Sequence, residues 1–149
     1  MTTMRLAERS DIAAIVALYA DDVLGAERET PDDLAPYEAA FDRLAAANGV
    51  TTVLVAERNG AIVGTMQLTV LPGLSHRGMN RAHLEAVRVA AAERGGGIGT
   101  QMIRWAIAEA RRRDCGLIEL TSNRQRVDAA RFYERLGFTP SHTGFKLTL

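Results

Sequence analysis

Residues 87–100 read VRVAAAERGGGIGT and pass from one kind of pattern to another. The first three residues alternate as in a β-strand, and the glycines that follow lead into apolar residues at helical spacing, Ile98, Met102, Ala106 and Ala110. A helix that begins at these glycines has free N–H groups and a positive dipole end at its first turn. Glycine also lets a ligand approach the main chain closely. The stretch therefore predicts an anion site, most naturally for phosphate or pyrophosphate.

Three kinds of glycine-rich loop could bind such a phosphate. A P-loop needs Gly-Lys-Ser/Thr at the helix start, but the residues before Thr100 include no lysine. A dinucleotide fingerprint needs a third glycine where this chain has Met102. The pattern Arg-x-x-Gly-x-Gly does fit, with Arg94, Gly97 and Gly99. It resembles the acyl-CoA-binding motif of the GNAT superfamily, the acyl-CoA-dependent N-acetyltransferases.

Two further stretches strengthen this resemblance, which covers essentially the whole chain. Residues 87–89 lie where the family has its acyl-CoA-contacting strand, and residues 132–138, FYERLGF, look like its Phe-Tyr-x-x-x-Gly-Phe signature. The resemblance implies an enzyme that transfers an acetyl group from acetyl-CoA to a primary amine. It implies direct attack in a ternary complex, without a covalent enzyme intermediate.

The resemblance also implies which residues contact acetyl-CoA. The main chain of Val87 and Val89 would pair with the pantetheine arm like an added strand, and an N–H near Val89 would stabilise the oxyanion. Many members have asparagine where this chain has Asp128, which leaves Asn123 as the polar contact in that loop. The predicted cradle for the pyrophosphate consists of Arg94, Gly95, Gly97, Gly99 and Thr100.

Tyr133 is the residue that the resemblance implies as general acid, because the tyrosine of the Phe-Tyr signature often protonates the departing thiolate. A phenol with a pKa of about 10 can donate that proton at neutral pH. The alternative is an aromatic ring that fills the gap between the last helix and the sheet, a role that suits Phe132 well. We interpret Tyr133 as catalytic.

Glu85 is the candidate base for the amine. It precedes Val87 and Val89 by two and four residues, so all three share a strand face if no bulge intervenes. The segment LEAVRV, residues 84–89, is similar to the same segment in hexosamine-phosphate N-acetyltransferases of this superfamily. A structural ion pair with a nearby arginine is an equally good interpretation of a carboxylate here. His83 is a weaker candidate for the same role.

The composition favours one domain, residues 1–149, with a sizeable core, because the chain has 47% hydrophobic residues. Lys plus Arg and Asp plus Glu number 18 each, so we expect no nucleic-acid or membrane partner. We also expect no metal. The N-terminus lacks the apolar segment of a signal peptide, and a cytoplasmic location is the default. The family resemblance makes a homodimer an expectation.

The patterning predicts an α/β domain of the α+β type. Its runs of β-forming residues predict about seven strands, at residues 3–7, 51–57, 62–70, 82–89, 117–122, 138–141 and 145–149. About four helices follow from apolar stripes and caps: one after Ser10, one with Tyr37 in its stripe, residues 98–113 and residues 128–136. By resemblance, helices cover both faces of a twisted, mixed, mostly antiparallel sheet, and one parallel pair splays at the CoA site.

Several alternatives stay open at this point. The early helices form either an acceptor pocket or plain core, and the loop at residues 71–80, with His76, is either a substrate lid or solvated surface. The acceptor is a small amine, a protein N-terminus or a lysine. A catalytically idle acyl-CoA-binding module is the alternative from another class. The neutral charge and short chain favour a small amine.

Overall fold

The computed structural model describes residues 1–149, which form one mixed five-stranded sheet in the order β1-β2-β3-β4-β5. The strands are β1 Thr2–Leu6, β2 Thr51–Arg58, β3 Ala61–Leu71, β4 Asn80–Val89 and β5 Cys115–Leu120. Neighbouring strands are antiparallel except β4 and β5, which are parallel as predicted. The helices are α1 Ile12–Ala20, α2 Ala35–Ala46, α3 Ser75–Gly78, α4 Ile98–Arg112 and α5 Val127–Arg135, with two short 3-10 turns at Arg9–Asp11 and Ala91–Glu93.

The tight turn between β2 and β3 follows directly from its two residues. Asn59 and Gly60 have φ values of 52° and 78°, the left-handed conformation that a two-residue hairpin of this twist requires at both positions. Asparagine and glycine tolerate that conformation best, so the predicted hairpin is confirmed. The turn connects β2 to β3 and sets their antiparallel pairing.

The number of strands differs from the prediction of about seven. Residues 138–149 contain no strand, and the large apolar side chains Phe145, Leu147 and Leu149 are almost fully exposed. Their alternation is a local preference for extended backbone, but a strand also needs a partner for its main chain and a surface to cover. Residues 138–149 make no such pairing, although the outer edge of β5 is free, so the predicted terminal hairpin is wrong.

The number of helices is five where about four were predicted. The additional one, α3, is a single turn within the predicted 71–80 loop, where His76 and Arg77 have φ values of 52° and 62°. It is therefore a turn of the loop rather than a packed helix. His76 is exposed, as is most of this segment.

The core lies on both faces of the sheet. On one face α4 buries a stripe that matches the predicted spacing, Ile98, Met102, Ile103, Ala106 and Ala110. These side chains pack against strand residues such as Leu54, Met66, Leu68 and Leu84. On the other face α1 buries Ile12, Ile15 and Val16. Burial of one Ile, Val or Met side chain contributes about 1.5–3 kcal/mol, so these residues fix α4 and α1 firmly against the sheet.

By contrast, α2 has no fully buried residue. Phe41 and Leu44 of its apolar stripe line a concavity of about 210 Å³ with Leu6 and Val53. None of the five helices has both the length and the apolar character that crossing a membrane requires. His, Cys, Asp and Glu side chains form no group of three or more that could hold a metal ion.

Candidate active site

The parallel strands β4 and β5 part halfway along β4. Their pairing ends at Leu84 with Leu120, whereas β4 continues to Val89 beside β3 alone. The amide of Ala90 donates to the carbonyl of Val63 on the β3 side at 2.9 Å. Because main-chain groups alternate sides along a strand, the N–H and C=O groups of Val87 and Val89 point to the open side. The site therefore has an unpaired strand edge.

Two arginine side chains donate hydrogen bonds to the carbonyls on this open edge. Arg88 Nη1 donates to the carbonyl of Val87 at 2.9 Å, and Arg94 Nε donates to that of Val89 at 3.1 Å. Main-chain polar groups rarely go without a partner, and here flexible side chains provide it. An extended ligand with amide groups can take their place on the edge. The side chains of both valines pack against the core, as predicted, so any binding role lies in their main chain.

A β-bulge at Ala86 changes which side chains share a face. Gln67 pairs with Glu85 but Thr65 pairs with Arg88, so β4 has one more residue than β3 in this interval, and Ala86 has a φ of 53°. Glu85 therefore does not share a face with Val87 and Val89, and the prediction that it would is corrected. A one-residue shift moves every later side chain to the opposite face of the sheet.

Glu85 faces the same side of the sheet as α1. Its carboxylate is exposed and accepts a hydrogen bond from Gln67 Nε2. No arginine pairs with it, because Arg81 pairs with Glu119 at 3.2 Å and Arg88 pairs with Asp22 at 3.4 Å. The structural ion pair considered from the sequence is thus absent. The carboxylate is free to meet a ligand from solvent.

The glycine loop leaves open space at the start of α4. Gly95 and Gly97 have φ values of 82° and 83°, and a Cβ built on either one would meet no atom within 4 Å. The first N–H groups of any helix lack intrahelical partners. At α4 the N-cap is Gly97, which has no side chain that could accept from them. These features fit a pyrophosphate. Gly99 differs, since a Cβ there would lie 3.3 Å from the ring of Phe132.

The Phe-Tyr signature forms the cap of α5. The amide of Phe138 donates to the carbonyl of Tyr133 at 3.1 Å and that of Gly137 donates to Glu134 at 3.0 Å, which is the Schellman motif. Gly137 has a φ of 94°, as the predicted helix stop requires. The Phe138 ring packs edge-on against Tyr133 with centroids 5.7 Å apart. The spacing of the signature therefore serves to hold the tyrosine ring.

Tyr133 is half-buried between Phe132 and Phe138. Burial raises the pKa of its phenol, and the nearby charges of Arg88 and Arg126 oppose that rise in part. The hydroxyl therefore stays protonated at neutral pH and can donate a proton. The Tyr133 ring also packs against the core cluster. The ring therefore fills space, while the hydroxyl remains able to donate a proton.

An ion-pair cluster near Tyr133 was missed by the sequence reasoning. Asp22, just after α1, accepts from both Arg88 of β4 and Arg126, the N-cap of α5. Burial lowers the pKa of Arg88 from its usual value. The only signal in the sequence was an arginine inside an apolar strand. The cluster joins three segments around the point where the strands part.

The loop after β5 places its two candidate polar residues differently. The Asn123 side-chain oxygen accepts from the amide of Gln125 at 2.9 Å, so it stabilises the loop itself. Asp128 lies in the first turn of α5, where a carboxylate favours the helix dipole. The amide nitrogen of Asn123 is the part of that side chain left for a ligand.

A strand edge that opens beside a glycine-lined helix start has the geometry that an extended, phosphate-bearing ligand requires. The chain belongs to the acetyltransferase (GNAT) family, whose model matches residues 12–138. The family predicted from the motifs is thus confirmed.

Two curated relatives support this placement. An aminoalkylphosphonate N-acetyltransferase from Salmonella typhimurium is 38% identical over 95 residues, and the match spans 64% of this chain and 61% of that relative. A glucosamine 6-phosphate N-acetyltransferase from Trypanosoma brucei brucei is 30% identical over 148 residues, 98% of this chain and 95% of the relative. A crystal structure of a transcriptional regulator from Bacillus halodurans C-125 superposes with a TM-score of 0.96 at 42% identity, over 100% of both chains.

Proposed function

We propose that this protein transfers an acetyl group from acetyl-CoA to a primary amine of a small molecule, by direct attack in a ternary complex. The observation that carries the proposal is the open strand edge at Val87 and Val89 between the glycine loop and Tyr133.

The coenzyme would lie along this edge. Arg94, Gly95 and Gly97, with the N–H groups of Gly99 and Thr100, would hold the diphosphate. The pantetheine amides would replace the guanidinium groups on the carbonyls of Val87 and Val89. The amide of Asn123 would be a further polar contact. An N–H near Val89 would stabilise the negative charge on the thioester oxygen.

The chemistry needs one new bond and two proton transfers. The amine nitrogen attacks the thioester carbon, a C–N bond forms, the C–S bond breaks, and sulphur keeps the electron pair. Tyr133 donates its proton to that sulphur, which its raised pKa permits at neutral pH. The proton from nitrogen passes to Glu85, directly or through water, since this carboxylate has no cationic partner.

Several features support a small acceptor over a peptide. Both curated relatives are named for small amines. The balanced charge of the chain, with 18 Lys and Arg against 18 Asp and Glu, favours a small amine over a strongly charged polypeptide. The proposal includes a cytoplasmic location, a homodimer, and neither nucleic acid nor membrane as partner. A protein N-terminal or lysine acetyltransferase is the nearest alternative.

A non-catalytic acyl-CoA-binding module is the second candidate function. One observation favours it: the Bacillus halodurans structure, which is 42% identical, is described as a transcriptional regulator. Such a module would keep the coenzyme site but would need no acid or base.

Thiol release from acetyl-CoA, followed with a disulfide dye, separates the candidates. We expect release that depends on an added amine from a panel of amino acids, amino sugars, aminophosphonates, polyamines and short peptides. Coenzyme binding is measured alongside by calorimetry. Tight coenzyme binding with no amine-dependent release would support the regulatory module instead, and release only with peptides would favour the protein acetyltransferase.

A further inference from the structure

We propose that the acceptor carries a phosphate or phosphonate group besides its amine, and that Arg88 and Arg126 bind this group. The inference rests on the proposed function, because it names the acceptor class of the same site. It starts from the ion-pair cluster of Asp22, Arg88 and Arg126, which the coenzyme-binding residues do not include.

Two guanidinium groups share one carboxylate oxygen in this cluster. Arg88 Nη2 and Arg126 Nη2 both contact Asp22 Oδ2. Arg28 is near enough for its charge to act on Arg88, and it pairs with Glu29 at 2.8 Å. Three guanidiniums thus share two directly paired carboxylates, Asp22 and Glu29, whereas Glu85 on the same face pairs with Gln67 and with no arginine. Like charges held together with incomplete compensation are costly unless a ligand completes them.

The donor groups of Arg88 are also only partly used. Its side chain is 15% exposed, and its Nε is buried without a hydrogen-bond partner. A buried donor left unsatisfied is unfavourable, so the free protein keeps a costly arrangement at this point. Binding of an anion allows the guanidinium to reorient and to use more of its five donors.

The location suits the far end of an acceptor molecule. Arg88 and Glu85 lie on the same face of β4, since both pair with same-face residues of β3, Thr65 and Gln67. Three residues of strand span roughly 10 Å, less where a bulge intervenes. The face therefore has an acidic group toward which an amine is drawn and a basic group beyond it. A molecule with an amine at one end and an anion at the other matches this polarity.

A phosphorus oxyanion fits better than a carboxylate. Asp22 already pairs its carboxylate with both arginines. A carboxylate on the acceptor would therefore replace one single negative charge with another and would gain little. A phosphate or phosphonate brings up to two charges and three oxygens, which two guanidinium forks can bind at once. That additional charge is what displaces Asp22 from its arginines.

The test compares acceptors that differ only in the acidic group. We would measure kcat/KM for 2-aminoethylphosphonate, β-alanine and propylamine with the wild type, Arg126→Gln and the control Arg124→Gln. Arg124 lies in the same loop, is exposed and has no ion-pair partner. A charge-assisted hydrogen bond is worth about 1.5–3 kcal/mol, so the wild type should prefer the phosphonate to propylamine by about 100-fold. Arg126→Gln should lower that preference by about 10-fold or more, through KM, whereas Arg124→Gln should not.

A second variant distinguishes a binding role from a structural one. Asp22→Asn removes the competing carboxylate, so methylphosphonate should bind more tightly to it than to the wild type, by calorimetry. Arg126→Gln should bind methylphosphonate more weakly. If the cluster were only structural, both variants would lose thermal stability and neither would change the preference among acceptors.

The outcomes also separate this inference from the proposed function. Efficient acetylation of propylamine and phosphonate alike, unchanged in Arg126→Gln, would overturn the inference and leave the acetyltransferase intact. No acetylation of any amine would count against the enzyme. In that case, methylphosphonate that binds to the wild type but not to Arg126→Gln would still support the anion site. A wild type that does not bind methylphosphonate would contradict the anion site.

Discussion

Tyr133 owes its position to its own neighbours in sequence. Gly137 ends α5, the chain turns back, and Phe138 packs edge-on against the tyrosine ring. This arrangement leaves the hydroxyl as the part of the side chain that can act on a ligand. Arg88 and Arg126 lie near enough to affect its pKa, so the proposed acid and the proposed anion site are electrostatically coupled.

Tyr133→Phe should lower kcat by about 10²–10⁴-fold, the usual contribution of a positioned acid, with coenzyme affinity nearly unchanged. Tyr37→Phe is the control, since the Tyr37 hydroxyl contacts Glu29 and the amide of Thr30 rather than the parted strands. Steady-state kinetics and calorimetry with CoA make the comparison. Equal turnover in wild type and Tyr133→Phe would remove this residue from the acid role.

The pH profile follows from the direction of the pKa shift of Tyr133. Because burial raises that pKa, the protonated phenol persists beyond about pH 10. The contribution of the neutral phenol to stability is present below the unfolded pKa and is lost as pH rises through the folded one. We expect any decline of kcat due to this group above pH 10, and no such decline in Tyr133→Phe. A tyrosine-dependent decline near pH 8 would contradict the shift.

Two elements shape the site, the bulge in β4 and the glycine loop before α4. The bulge turns Glu85 and Arg88 toward α1 while the valines stay against α4. The loop opens the start of α4 to solvent. Each depends on backbone conformations that most side chains disfavour, and each can therefore be tested with glycine and alanine.

Ala86→Gly should raise the free energy of unfolding by up to about 1 kcal/mol. A left-handed residue with a Cβ costs about 1–2 kcal/mol, and glycine removes that cost while losing about 0.5–1 kcal/mol of chain entropy. Ala82→Gly, at a buried position in the regular part of β4, should instead lower it. Urea denaturation measures both. Loss of stability in Ala86→Gly comparable to that in Ala82→Gly would show that the bulge is not strained.

Gly97→Ala should weaken CoA binding by about 10-fold or more, because the added Cβ occupies the open space where the diphosphate would lie. Gly60→Ala is a matched control: its φ of 78° resembles the 83° of Gly97, and its Cβ also meets nothing within 4 Å. Both variants carry a similar backbone strain, so stability should fall alike. Calorimetry with CoA should show weaker binding only for Gly97→Ala. Equal affinity in both variants would place the diphosphate elsewhere.

At the scale of the whole molecule, the outer edge of β5 and the end of the chain both lack partners. β5 is an outer strand, and Phe145, Leu147 and Leu149 extend almost fully exposed from the end of the chain. Apolar side chains grouped in this way are typical of contacts with another protein. This is where the expected homodimer would find its apolar contact.

We therefore predict a dimer in solution that depends on the last five residues. Light scattering during gel filtration should give twice the 16.2 kDa chain mass for the wild type. A chain shortened by residues 145–149 should give the monomer mass, because the contact would lose its apolar side chains. The variant Val23→Ser, which changes an exposed apolar residue elsewhere, is the control. A wild type that is monomeric at every concentration would contradict the prediction.

The features that followed from the amino-acid sequence are local ones. The Asn59-Gly60 turn, the stop at Gly137, the buried stripe of α4 and the motif that indicates the family each depend on a few neighbouring residues. Backbone preference and periodicity act over that same short range, so a sequence is enough to predict them. The parallel pairing of β4 and β5 also followed, since one helix connects the two strands.

The tertiary structure decided what depends on residues far apart in the chain. Whether residues 138–149 form strands depends on pairing with another strand, and they do not pair with the free outer edge of β5. The face of Glu85 depends on register against β3, and a single additional residue reverses it. Asp22, Arg88 and Arg126 meet only because α1, β4 and α5 converge where the sheet opens. Register, charge clusters and the pairing of the terminal segment arise from packing between distant parts of the chain, and no local pattern encodes them.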